Sequence, residues 1–458
     1  MHVQVETVPT EELGDRSYVV HDGSYALVVD PQRDIDRISE VLDRLGLELA
    51  AVAETHIHND YLTGGLALAR SAKVDYLVAG SEKVGFPRTP VGDDTTLFVG
   101  DLSVRVVATP GHTPGHLSYV VTDAGGATAV FSGGSLLYGA VGRTDLISPD
   151  LTHPLALAQY RSVRRLADSL PDDAALYPTH GFGSFCSSGP PSPSASAGGT
   201  IGDERRNNLA LTAPDEAEFV HTVVAGFTPY PAYYAHMAPR NAAGVTAADL
   251  SEARAADAEE IARRLAAGEW VVDIRSRREF AADHLAGSIA VELGTQFATY
   301  LGWIFPYGEP LTLLGESAEQ IAAAQRQLAR IGIDRPTAVA HGPLDSIAPA
   351  LPRRSFRRAT FAELDHASRG GATVLDVRRH DERDRDGAIP GATHLPLPEL
   401  MARLPELPKH SWWVHCASGF RATIAASLLD RAGHQVVLVD DSFASAREHD
   451  LVEPLSVS

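Results

Sequence analysis

The chain has 458 residues, too many for a single hydrophobic core, and its length suggests two to four domains. Its 44% apolar and 21% charged residues are those of an ordinary soluble globular protein. No apolar run reaches the roughly 18 residues of a membrane span, and the first nine residues lack a basic, then apolar, signal pattern, so a cytoplasmic protein is expected. A formal charge of −20 argues against nucleic acid as a partner, and two cysteines, Cys186 and Cys416, exclude a disulfide framework.

Residues 1–240 read as one domain of short strands, turns and a few helices. Buried strands are expected at 25–30, 49–53, 76–79, 103–108 and 129–131 from their β-branched and apolar runs. Helical spacing of apolar residues marks 35–45 and 153–170. The Ser/Pro/Gly-rich stretch 187–199 is expected to be a mobile loop. Three turns in this domain each follow an apolar segment and carry histidine. They are THIHNDY, with His56, His58 and Asp60; TPGHTPGH, with His112 and His116; and YPTHG, with His180. Imidazole at alternate positions of a loop leaving a strand suits a transition metal, and a carboxylate broadens the choice. His116 reads as a residue that supports the ligands rather than as a ligand.

After residue 250 one α/β pattern occurs twice, at 250–348 and 355–458. Each copy has a strand, an Asp-x-Arg triplet (Asp273/Arg275 and Asp376/Arg378), a helix, a glycine-containing turn and further strand–helix alternation, which implies parallel pairing. In the second copy Cys416 opens CASGFRA between the strand SWWVH and a helix. Backbone N–H groups, the helix dipole and Arg421 all favour its thiolate. The loop can also stabilise a persulfide anion on that sulfur, with Ser418 and Gly419 as candidate substrate contacts. In the first copy the equivalent loop reads Gly315-Glu316-Ser317, with neither thiol nor arginine.

The Cys-x-x-Gly-x-Arg loop, Asp376-Val-Arg378 and the turn at Gly387-Ala388-Ile389 resemble a rhodanese sulfurtransferase domain, in which the cysteine accepts sulfane sulfur. The first copy resembles a rhodanese domain without its catalytic cysteine. The N-terminal segment resembles the metallo-β-lactamase fold through Asp30-Pro31, THIHND, TPGHT, FSGGS, GRTD and PTHG. Together these imply an α/β chain: an αββα metallo-β-lactamase sandwich followed by two rhodanese domains with parallel sheets. Within the superfamily the fusion is similar to persulfide dioxygenases, which use one iron and O2 to oxidise a small-molecule persulfide to sulfite.

The resemblance implies His56, His58, His112, Asp60 and His180 as metal ligands. Two positions depart from the family pattern. Tyr61 stands where HxHxDH ends in histidine, and Gly134 where a bridging aspartate is usual. Both losses weaken a dinuclear site, and the expectation is one Fe(II) per chain, with Zn as the alternative, held by the three-histidine face of His56, His58 and His112. Asp60 or Asp145 could add an oxygen ligand. Arg143 is a candidate for a substrate carboxylate or for pairing with Asp145, and Cys186 for carrying a persulfide near the metal or simply filling space. The expected function is a persulfide dioxygenase coupled to sulfur transfer through Cys416, acting on a small-molecule persulfide and O2, and compatible with a homo-oligomer. Two alternatives stay open: a sulfurtransferase or persulfide carrier with a degenerate metal domain, and a thioester hydrolase of the glyoxalase II type.

Overall fold

The protein is described by a computed structural model covering residues 3–189 and 198–454. Most of the expected loop at 187–199 lies outside the described residues. Two compact units result: one of residues 1–249 with 328–332, the other of residues 250–327 with 333–458. Among the described residues no helix is long and apolar enough to cross a membrane.

The first unit is built on two six-stranded sheets. One runs in chain order through Gln4–Thr10, Asp15–His21, Tyr25–Val29, Glu48–Ala53, Asp75–Ala79 and Thr89–Val91. The other runs in reverse order from Gly199–Thr200 through Ala175–Pro178, Thr128–Gly133, Leu117–Thr122 and Leu102–Ala108 to Thr96–Val99. Alternation along each strand sorts side chains to opposite faces. Leu27 and Val29 join Tyr18, Ala53, Val104, Val106, Tyr119 and Phe131 in a core between the sheets. Val28 and Val52 point the other way, against Ile38 and Leu42 of helix Asp36–Leu45 and Leu66 of helix Gly65–Ala72. Val130 and Leu176 of the second sheet likewise meet Val163 and Leu166 of helix Pro149–Asp168. The result is an αββα sandwich. All the expected strands and both expected helices form. The two N-terminal strands, which pair antiparallel, are additional, as are Thr89–Val91, Thr96–Val99, Leu117–Thr122, Ala175–Pro178 and Gly199–Thr200.

The second unit holds two smaller parallel sheets, one per copy of the repeated pattern. The first has the order Ile289–Ala290, Trp270–Asp273, Leu311–Gly315, Ala338–His341. The second has the order Arg357–Ala359, Gln435–Val439, Ser411–His415, Thr373–Asp376, Thr393–His394. The repeated Asp-x-Arg triplet makes the same fork in both. Arg275 Nη2 donates to Asp273 Oδ2 (2.7 Å) and to the Asp283 carbonyl (2.8 Å); Arg378 Nη2 donates to Asp376 Oδ2 (2.6 Å) and to the Gly387 carbonyl (2.8 Å). Each fork ties a strand end to the turn that follows its helix.

Phe131 is fully buried in the inter-sheet core, edge-on to Tyr18 (5.4 Å between centroids) and stacked on Tyr177 (5.3 Å). Phe131→Ala is expected to destabilise the first unit by about 3–5 kcal/mol, read as a lower urea midpoint of the full chain.

Candidate metal centre and thiol loop

The histidine turns leave the same end of the two sheets of the sandwich. Asp30 closes strand Tyr25–Val29 with a left-handed φ of 51°. Its Oδ1 accepts the Thr55 N–H (2.7 Å), and its Oδ2 accepts the hydroxyls of Thr55 (2.7 Å) and Thr179 (2.5 Å). One carboxylate therefore fixes the residue before His56 and the residue before His180.

These bonds decide which ring nitrogen each histidine presents. Thr55 Oγ1 has spent its proton on Asp30, so it accepts from His56 Nδ1 (2.8 Å), leaving His56 Nε2 with a lone pair. His180 Nδ1 lies 2.8 Å from Asp15 and 3.2 Å from Asp60. Its Nε2 faces His56 Nε2 at 3.3 Å. His112 donates Nδ1–H to the Arg143 carbonyl (2.7 Å), and its Nε2 is buried without a partner. His58 Nε2 is surrounded by Tyr61 Oη (3.0 Å), Glu54 (3.2 Å) and Asp30 (3.3 Å), and its Nδ1 is buried without a partner.

Ligating atoms of His56, His58 and His180 lie within 4.8 Å of one another, as do those of His112, His180 and Cys186, and those of Asp15, Asp60 and His180. The structure thus groups His180 with His56 and His58, while the His112 ring stands 4.7 Å from that of His56 and 5.4 Å from that of His180. All four rings are essentially buried. Two opposed imidazole nitrogens and two orphaned ones in so small a volume fit a cation, because a buried unpaired polar atom is otherwise costly.

Electrostatics divide the cluster. Burial and the neighbouring rings push the His56 imidazolium well below its ordinary range, and burial takes His112 down to about 3. Burial opposes charge on His58 too, but Asp30 and Glu54 outweigh it and lift the ring to about 9. Burial and the adjacent Asp60 push Asp15 up to about 8. Asp60 goes the other way, held down by His180 against its burial. Asp60 Oδ1 has no partner.

The two departures from the family pattern have structural counterparts. The Tyr61 ring stacks on His58 (4.3 Å between centroids), with its hydroxyl on that ring and 3.3 Å from the Asp30 carbonyl, so it braces His58. At Gly134 a Cβ would stand 2.2 Å from His112 Cδ2, and at Gly142 one would stand 2.7 Å from His112 Nδ1. The His112 ring fills the space a side chain at 134 would need. His116 accepts the Gly134 N–H (3.0 Å) and meets Thr109 Oγ1 (2.9 Å), so both its nitrogens are used in support of the turn.

Arg143 is buried and fully committed. It holds Asp145 through two bonds of 2.7 Å and donates to the carbonyls of Phe185 (3.1 Å) and Thr228 (2.8 Å). Asp145 is correspondingly paired. Cys186 is buried, with Sγ 3.9 Å from Tyr234 Oη, and burial pushes its thiol well up. Tyr234 also lines a cavity of about 720 Å³ together with Ile57, Asn59 and Thr113, the neighbours of the histidine ligand candidates. Asp15, Glu54 and Tyr234 were not visible as site residues in the sequence. Only Glu54 offers a signal, its i,i+4 spacing to His58.

In the second unit Cys416 follows strand Ser411–His415, and Gly419, at φ 91°, precedes helix Phe420–Arg431. Cys416 Sγ, nearly inaccessible, accepts the Gly419 N–H at 3.2 Å. Ser418 is exposed. Arg421 is held by Glu382 through two hydrogen bonds, Nη2 to Oε1 at 2.7 Å and Nη1 to Oε2. Tyr300 of the first repeat packs on Phe420 (5.6 Å between centroids), with the Arg421 guanidinium 5.9 Å from its ring.

The metallo-beta-lactamase superfamily model matches residues 13–180, and the rhodanese-like domain model matches residues 360–449. A hydroxyacylglutathione hydrolase of Albidiferax ferrireducens is 36% identical over 133 residues, 28% of this chain and 49% of its own length; one from Methylobacillus flagellatus is 32% identical over 61% of its length. The mitochondrial persulfide dioxygenase ETHE1 of Homo sapiens is 30% identical over 215 residues, 45% of this chain and 72% of the relative. Among solved structures, a metallo-beta-lactamase from Staphylococcus aureus subsp. aureus COL superposes with a TM-score of 0.67 at 25% identity, covering 75% of this chain and all of that one. The chain belongs to the metallo-beta-lactamase superfamily and carries a C-terminal rhodanese-like domain. It has homologues among the persulfide dioxygenases and, at similar identity, among the hydroxyacylglutathione hydrolases. The match spans only about half to three-fifths of the length of those two hydrolases.

Gly134→Ala or Gly134→Asp is expected to displace His112, lower the metal bound per chain in elemental analysis, and cost about 1–3 kcal/mol in thermal denaturation. In the second unit burial opposes charge on Asp376, but His415 and the Arg378 fork outweigh it and hold the carboxyl at about 2, against an ordinary 3.8. A depressed carboxyl stabilises above its unfolded value and loses that contribution as protons bind. The stability gap between wild type and Asp376→Asn in urea is therefore expected to narrow by about 2 kcal/mol as pH falls from about 4 towards 2.

Proposed function

We propose that the first unit holds a single Fe(II), with Zn as the alternative occupant, and oxidises a low-molecular-weight thiol persulfide with O2 to sulfite, while Cys416 transfers sulfane sulfur. The observation that carries this reading is the packing of His112 against Gly134. It leaves a histidine cluster with unpartnered nitrogens and no room for a bridging carboxylate, which favours one ion over the pair a hydrolase would use. The residues that would hold the ion are His56, His58, His112 and His180, with Asp60 adjoining. When bound, iron supplies the one-electron redox chemistry that O2 requires.

The chain's own residues set the conditions for that chemistry. Asp30 and Glu54 grip His58 Nε2 and turn Nδ1 toward the cluster. Asp15 does the same for His180 through Nδ1. Neutral rings from His56 and His112 leave positive charge uncompensated, which attracts an anionic persulfide sulfur. Burial of all four rings excludes water.

At the second site the Cys416 thiolate attacks the outer sulfur of a persulfide, forming Cys–S–S⁻ and releasing the carrier thiol. Sulfite then takes that sulfur, giving thiosulfate and regenerating the thiolate. The Gly419 N–H and the start of helix Phe420–Arg431 stabilise either anion. The first repeat, with no thiol in its loop, has no such step. Tethering the two sites in one chain raises the effective concentration of one product at the other site. Support for the oxygenase reading comes from the persulfide dioxygenase relative, and a thioesterase reading draws on the hydrolase relatives.

Full-length protein purified without oxygen is expected to carry about one iron per chain and to consume O2 with glutathione persulfide, while leaving a hydroxyacylglutathione thioester intact. Thioester cleavage without oxygen uptake would establish the hydrolase instead, and metal-free protein would leave the sulfurtransferase alone. Cys416→Ser is expected to lower thiocyanate formation from thiosulfate and cyanide at least about 100-fold.

A further inference from the structure

The turn carrying His58, Asp60 and Tyr61 runs on into Leu62, whose backbone N–H is taken by a segment from far along the chain. Residues 328–332 lie in the first repeat of the α/β pattern, yet they belong to the first unit. The last carbonyls of a helix have no partner within it, and those that end helix Ala318–Arg330 find partners there. The Arg330 carbonyl accepts the Leu62 N–H (2.7 Å), and the Ala329 carbonyl accepts Arg33 Nη1 (3.3 Å). Gly332 follows at φ 75°. A Cβ there would stand 2.2 Å from Arg240 Nη1, which donates to the Gly332 carbonyl (2.6 Å). Asn241, next to Arg240, bonds the histidine turn itself, its Nδ2 donating to the carbonyls of His58 (2.9 Å) and Tyr61 (2.8 Å).

The Arg330 side chain reaches further. It is buried and forks on Asp34, with Nε to Oδ1 at 3.2 Å and Nη2 to Oδ2 at 2.7 Å, while Nη1 donates to Glu12 (3.0 Å). Burial opposes charge on Asp34, but Arg330 and Arg37 outweigh it and hold the carboxyl at about 2. A buried pair of this kind fixes geometry, and here the geometry is that of the cluster's carboxylates. Asp34 lies four residues after Asp30, which fixes Thr55 and Thr179 and faces His58. Glu12 lies three residues before Asp15, which meets His180, and Leu62 lies two after Asp60. One arginine thus ties together the three segments that bring these carboxylates to the histidines. We infer that Arg330 is a positioning residue of the metal centre, through which the first repeat, without a thiol of its own, contributes to retention of the ion. The inference rests on the histidine cluster being a metal site, and it holds whichever reaction the ion serves.

Co(II) is the probe, added to metal-free full-length protein in competition with nitrilotriacetate, with its visible absorption reporting the coordination of the ion. Arg330→Met is expected to weaken Co(II) binding about tenfold and to change the intensity of the bands. Arg330→Lys, which can pair with one carboxylate but cannot form the fork, is expected to weaken it about threefold. Arg164 supplies the control: it lies in the same unit and donates to the carbonyls of Ala210, Leu211 and Ala213, none of them in a histidine turn. Arg164→Met is expected to leave Co(II) affinity within about twofold, and thiocyanate formation at Cys416 to stay within about twofold in all three variants. Equal affinity of wild type and Arg330→Met, an equal loss in Arg164→Met, or a parallel loss of thiocyanate formation would overturn the inference and leave the metal reading in place. Wild type that binds no Co(II) would overturn both. Should Arg330→Met fail to fold, Glu12→Gln decides the matter: binding weakened about threefold supports the tie, and unchanged binding overturns it.

Discussion

The Asp30 carboxylate accepts hydrogen bonds from Thr55 through both backbone and hydroxyl, accepts the Thr179 hydroxyl, and lies 3.3 Å from His58 Nε2. Thr55 belongs to the turn after Glu48–Ala53, in one sheet, and Thr179 to the turn after Ala175–Pro178, in the other. A single anion therefore sets the relative height of the turns that carry His56, His58 and His180. Its own backbone adopts a left-handed φ, and its carbonyl takes the Ser17 hydroxyl (2.7 Å). The surrounding hydrogen bonds over-determine a strained residue, as is common where ligands must be aimed. The orientation of His56 depends on it directly. The Thr55 hydroxyl can accept from His56 because its own proton is already given to Asp30.

The cluster shows two ways of using a buried carboxylate. Asp30 and Glu54 face one nitrogen of His58 and leave the other for the interior of the site. Asp15 and Asp60 crowd His180 and separate in proton affinity, one raised and the other lowered. In the thiol loop the arrangement differs. Arg421 is locked by Glu382, so its charge reaches the sulfur as part of a fixed ion pair, and the direct hydrogen bond to Cys416 comes from the Gly419 backbone. Such pairs fix geometry more surely than they add stability.

Much of the fold was legible in residue order. The alternation in YALVVD places Leu27 and Val29 on one face and Val28 on the other, and the doubled Asp-x-Arg triplet announces two parallel α/β copies. Histidine turns and the cysteine loop were visible for a related reason, because strand ends are where an open α/β sheet presents side chains. Other features could not be read that way. Asp15 meets His180 across 165 positions of sequence, and no local spacing records such a contact. The Gly134 substitution reads in sequence as a lost ligand. In three dimensions it is also the space that the His112 ring occupies, which only packing can reveal. For Cys186 residue order leaves a place near the metal and mere space-filling both open; the structure brings it within reach of His112 and His180, with the Arg143 backbone N–H donating to its carbonyl (2.8 Å).

The matching arginine forks of the second unit bear on what a copy of the α/β pattern needs in order to fold. Each joins the end of a central strand to the turn beyond the next helix. The first copy closes its sheet with such a fork although the loop after Leu311–Gly315 carries Glu316 and Ser317 and no thiol. Closing the sheet and presenting a thiol are thus separate demands on the pattern, and the first copy places Tyr300 against Phe420 of the second.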